Sequence, residues 1–116
     1  MEEINVKEQL EKIGKDLNIL FEESDMQDWG LIYADDKRVE ELMDYFISNP
    51  LNKTMQFYVL ELIVYSYNET LLLNNAPYHL QNKLANVLNQ ADQRLNFLLT
   101  NWRTIADDDF PVGRLI

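Results

Sequence analysis

His79, Glu61 and the run Asp107-Asp108-Asp109 are the residues whose types could do chemistry in this chain. His79 stands in Pro77-Tyr78-His79-Leu80. Histidine can move protons near neutral pH, but without a partner in the sequence His79 reads as a surface or capping group. Glu61 interrupts Phe-Tyr-Val-Leu-Glu-Leu-Ile-Val-Tyr-Ser-Tyr, residues 57–67. Buried there, its carboxyl would be driven toward the protonated form and could serve as a general acid. On a wet strip, or accepting a hydrogen bond from a tyrosine, it would be structural. The three aspartates could touch a hard cation, yet they lack the alternating ligands and the glycine of a calcium loop. Cysteine is absent, which excludes thiolate nucleophiles, thiolate metal sites and disulfides. There is no Gly-rich phosphate loop, Gly-x-Ser-x-Gly or His-Glu-x-x-His. The expectation is a protein that is not an enzyme, with no catalytic residue, no metal and no cofactor.

Charge placement says more. Twenty acids face ten lysines and arginines, for a net charge of −10. Such a surface repels nucleic acid and anionic membrane and attracts a basic protein. Between residues 22 and 44 stand Glu22, Glu23, Asp25, Asp28, Asp35, Asp36, Glu40, Glu41 and Asp44 against Lys37 and Arg38. Asp35 or Asp36 suits a helix start, where free N–H groups and the positive dipole end meet. Glu22 and Glu23 fall where a first helix should end, and Asp107 to Asp109 follow the last one. An acid at that pole is unfavourable by about 0.3–1 kcal/mol at low salt. Acids set against local stability point to a positive partner. The competing reading is that the aspartates cap a following turn.

These groups must be positioned by helices. Only three Gly and three Pro occur, and 47% of residues are hydrophobic, which suits an all-α chain. Val6, Leu10, Ile13, Leu17 and Leu20 predict a helix over 3–23. Residues 24–34 read as a loop with one helical turn, holding Trp29 and Tyr33. A second helix runs from Asp35 or Asp36 to Ser48 and stops at Asn49-Pro50. The apolar run, capped by Asn52 or Thr54, predicts a central helix over 54–67 that must be covered on every side. Pro77 suits the first position of the next helix. From there Leu84, Leu88, Ala91, Leu95, Leu98, Trp102 and Ile105 form one seam. Val87, Phe97 and Leu99 widen it. Residues 77–105 are one helix, or two with a kink near Asn89 and Gln90. Residues 107–116 read as a non-helical tail folded back on the body. The whole, 1–116, is expected to be one domain: a helical bundle or HEAT-like stack of about five helices around the central one.

A small, acidic, cysteine-free helical chain of this profile resembles the bacterial immunity proteins. Those neutralise toxins of the contact-dependent inhibition or polymorphic type, often basic nucleases. Asp107-Asp108-Asp109-Phe110-Pro111-Val112-Gly113 is similar to the Asp-Asp-x-Pro-x-Gly stretch of colicin DNase immunity proteins. The Tyr-Tyr pair that precedes it there is absent here. The resemblance implies a cytoplasmic inhibitor, a monomer or weak homodimer, that occludes the active site of a basic toxin. The expected contacts are Glu22, Glu23, Asp25, Asp28 and Asp107 to Asp109 for charge, with Trp29 and Tyr33 as aromatic anchors. The alternative is a helical adaptor or regulatory protein that uses the Leu84–Ile105 seam for a partner or a second copy.

Overall fold

The computed structural model describes residues 6–19 and 29–116. Every regular element among them is helical, so the chain is all-α, as its composition predicts. The α-helices are α1 (Val6–Leu17), α2 (Trp29–Ile32), α3 (Val39–Ser48), α4 (Lys53–Leu72), α5 (Leu80–Gln90) and α6 (Asn96–Thr104). Short 3-10 helices at Asp36–Arg38, Gln93–Leu95 and Pro111–Arg114 connect or end them. None of the described helices is long and apolar enough to cross a membrane.

The central helix is longer than its apolar run. Asn52 starts it, accepting the Met55 N–H at 2.9 Å, and helical geometry continues through Asn68 to Leu72. Val59, Leu60, Leu62, Ile63 and Val64 are fully enclosed. Helical steps of 100° spread these five around the axis, so the cover must come from several sides. α1, α2, α3 and the three 3-10 helices named above pack on α4. Gly30 sets the closest approach: a Cβ there would lie 2.7 Å from Glu61 Cβ. α5 lies against α3. Tyr45, on α3, ties α1 in place by donating its hydroxyl to Asp16 at 2.8 Å.

The seam divides into two helices. α5 ends at Gln90, and Ala91 is extended at ψ 143°. Asp92 explains the break. Its carboxylate accepts the Arg94 N–H at 2.9 Å and pairs with the Arg94 guanidinium at 2.7 Å. Its own N–H donates to Gln56 Oε1 at 2.8 Å. An aspartate that caps the next turn offers the backbone an alternative to a continuous helix. Leu84, Leu95, Leu98 and Trp102 still turn inward, together with Val87 and Leu99. The seam therefore lies mainly against its own chain. Ile105 and Phe97 depart from it and are exposed.

Three further expectations are corrected. Pro77 lies in a turn ahead of α5, which begins at Leu80; His79 is thus the residue before the helix. α1 ends at Leu17, followed by Asn18 at φ +57°, a left-handed conformation that asparagine tolerates and that stops a helix. The tail does fold back on the body, with Val112 and Gly113 buried, but Pro111 begins a 3-10 turn where no helix was expected. Proline is compatible with a first helical position because its missing N–H is unused there. Asn68 clamps the tail: its Nδ2 donates to the Asp109 carbonyl at 3.1 Å and its Oδ1 accepts the Val112 N–H at 3.2 Å.

Candidate functional site

Of the expected contact residues, the structure describes Trp29, Tyr33 and Asp107 to Asp109. Glu22, Glu23, Asp25 and Asp28 lie outside the described residues. Trp29 is wholly enclosed and sits 6.0 Å, centroid to centroid, from the half-buried Tyr33 ring. An enclosed indole has no face to offer a partner, so Trp29 anchors the core and not a toxin. The carboxylates of two tail aspartates find internal partners. The Asp107 carboxylate accepts the N–H groups of Asp109 and Phe110 at 2.9 and 2.8 Å. Asp108 meets Arg114 at 3.1 Å. Asp107 therefore caps a following turn and is not set against local stability.

The acids of α3 are also matched. Arg38 grips Glu41 at 2.8 Å and donates to the Leu17 carbonyl. Lys83 of α5 reaches Glu40 at 2.8 Å and Asp44 at 2.7 Å. The His79 ring nitrogen lies 3.1 Å from the Glu40 carboxylate. Hydrogen bonds from Lys83 and His79 hold the Glu40 carboxyl below its ordinary value. His79 thus serves a helix-to-helix contact. Glu61 is half-buried, with its Cβ against α2. Among the described residues, no group of three or more His, Asp and Glu could hold a metal ion.

One group of acids is different, and α4 builds it. The buried Ser66 hydroxyl accepts the Asp35 N–H at 2.9 Å. One turn later the buried Thr70 hydroxyl donates to the Asp36 carbonyl at 3.2 Å. These two bonds fix the backbone of Asp35 and Asp36 against α4. Glu69 lies between the two anchoring positions, so the arrangement brings Glu69 beside both aspartates. Burial first, and then the charges of Asp36 and Asp35, push the Glu69 carboxyl above its ordinary value. Glu69 also stands in the last turn of α4, where the dipole favours a cation. Among the described residues, no ion pair joins Asp35, Asp36 or Glu69 to a lysine or arginine. Arg38 feels the Asp35 charge, but its guanidinium is aimed at Glu41 and Leu17.

No protein-family model, curated protein or solved structure matches the chain.

Sequence reasoning missed Glu69. The available signal was an acid in the last polar stretch before Leu71-Leu72-Leu73, on a helix that continued past Tyr67. Its proximity to residues more than thirty positions earlier is a tertiary fact. A stability test follows, with its sign. A raised carboxyl value means the folded chain holds the proton more tightly than the unfolded chain does. Glu69 therefore costs stability progressively as pH rises from 4.5, the ordinary value, through the raised one. Glu69→Gln should be more stable than the parent near pH 7 by about 0.3–0.5 kcal/mol, the scale of an exposed like-charge pair. That gain should vanish by about pH 4. Urea midpoints at both pH values check this; a gain independent of pH would rule out the charge explanation.

Proposed function

We propose that this chain is an immunity-type inhibitor that binds and neutralises a basic protein toxin through an acidic surface centred on Asp35, Asp36 and Glu69. One observation carries the reading: the fold gathers Asp35 and Asp36 beside Glu69, which stands in the last turn of α4 against the helix dipole and is opposed by both of their charges, while its other described acids are largely matched internally. A folded chain tolerates such a cluster at a cost to its own stability, and sites of that kind are commonly functional. A lysine- or arginine-rich partner would relieve the repulsion on binding. The net charge of −10 adds long-range steering, which speeds encounter with a basic enzyme. Bound across a toxin's cleft, the carboxylates stand in for the phosphates of a nucleic-acid substrate, and the body of α3 and α4 blocks entry.

The triple variant Asp35→Asn, Asp36→Asn, Glu69→Gln tests this. Parent and variant are used as bait in extract from the native host at low salt, and the captured proteins are identified by mass. The expected result is a basic protein held by the parent, released by raised salt, and depleted at least about tenfold with the variant, equivalent to about 1.4 kcal/mol. The captured protein should be toxic when expressed alone and harmless beside the parent chain. Capture of the same proteins by both baits would overturn the assignment of the surface.

A further inference from the structure

A cavity of about 190 Å³ opens beside the acidic cluster. Asp36, Val39 and Glu40 line it, with Thr70 from the last turns of α4, Asn75 and Pro77 from the α4–α5 connection and Leu80 from the start of α5. The cavity therefore joins Asp36, which has no ion pair among the described residues, and Glu40, whose two oxygens already meet His79 and Lys83, to the apolar residues Val39, Pro77 and Leu80. Lys37 also borders it, on a long flexible stem that can swing to solvent. Glu40 is held in position by Lys83 and His79. The connection carries unusual exposed bulk: Tyr78 is 85% exposed and Leu73 is 62% exposed. Tyr78 directly follows the lining residue Pro77.

We propose that this cavity is a socket for an arginine side chain presented by the basic partner. The inference rests on the function proposed above and names the recognised group. Arginine matches both halves of the lining. Its planar guanidinium directs several N–H donors at carboxylates, and its methylene stem packs on apolar surface. Charge selects this occupant over a second copy of the chain, because two copies each carrying −10 repel.

The test uses a fluorescent oligoarginine peptide and its uncharged citrulline counterpart as probes, read by anisotropy at low salt. The parent should bind oligoarginine and not oligocitrulline. Asn75→Trp fills the cavity without changing charge and should weaken oligoarginine binding about tenfold. Asp36→Asn should weaken it comparably, and gives the same reading if the tryptophan disturbs the fold, which circular dichroism reports. Asp107→Asn with Asp108→Asn removes two charges elsewhere and should change binding less than about twofold. If both cavity variants bind like the parent while the triple variant loses binding, the socket is overturned and the acidic-surface reading stands. If the tail variant weakens binding as much as Asp36→Asn, recognition is diffuse charge and the socket is overturned. No oligoarginine binding by the parent overturns the socket, and the host-extract experiment then judges the acidic surface alone. A dimer in sedimentation that is abolished by Leu73→Ser with Tyr78→Ser assigns this face to a second copy and overturns the socket.

Discussion

Gly113→Ala is expected to destabilise the protein by about 3 kcal/mol, at the upper end of what overpacking a buried site costs. Gly113 lies buried in the 3-10 turn Pro111–Arg114. A Cβ there would collide with the Trp102 carbonyl oxygen, and would lie 2.7 Å from Ala106 Cβ and 3.2 Å from Ala106 Cα. None of these is the movable end of a long side chain, so the clash cannot be relieved by a rotamer change. Either the end of α6 shifts or the tail lifts. Lifting the tail would strip Asn68 of its bonds to Asp109 and Val112 and expose Val112, which is fully enclosed. It would also disturb Phe110, whose ring lies 6.1 Å from Tyr65, itself edge-on to Trp102 at 6.4 Å. Urea unfolding gives the stability loss, and hydrogen exchange over residues 107–116 reports whether the tail opens first. A variant within about 0.5 kcal/mol of the parent would show that the tail does not clasp the body as described.

Ile63→Ala is expected to cost about 3–4 kcal/mol, from lost transfer free energy and from the cavity left behind. Ile63 is fully enclosed in the middle of α4, with Leu62 and Val64 on either side also enclosed. Neighbours fixed on several sides of one helix cannot all collapse toward the gap, so the cavity term should persist. Phe97→Ala is the control. Phe97 is 61% exposed despite its place beside the seam, and its truncation should change stability by less than about 0.5 kcal/mol. Equal losses for the two would contradict the packing of α4 at the centre and of the seam to one side. Both measurements come from denaturant midpoints at constant slope.

Much of the fold was legible because helical periodicity is a local property. The spacing of Val39, Leu42, Met43, Phe46 and Ile47 predicts one buried stripe on α3, and all are buried except Ile47, which is half-buried. The apolar run at 57–67 lies at the core because residues apolar on all sides must be covered on all sides. Caps were legible for the same reason: Asn52 and Asp35 satisfy N–H groups two or three residues ahead. The break between α5 and α6 was legible only as one of two alternatives, a kink near Asn89 and Gln90 against one continuous helix. An unbroken run of steps of three and four gives no sign that Asp92 will turn away to meet Gln56, thirty-six residues earlier. Trp29 reads as an aromatic anchor in the sequence but is wholly enclosed, because a side chain's type does not report whether another element covers it.

The candidate site divides along the same line. Composition alone determined that the protein is strongly acidic and that thiol chemistry is excluded. Which acids remain unmatched was decided by tertiary structure. Sequence spacing places Arg114 near Asp108 no better than it places Lys83 near Glu40, yet folding pairs both and sets Asp35 and Asp36 against Glu69, with no lysine or arginine paired to any of the three among the described residues. The reason is range. Helix formation depends on neighbours within a turn or two, whereas charge compensation depends on separations of a few ångströms between side chains that can lie anywhere along the chain.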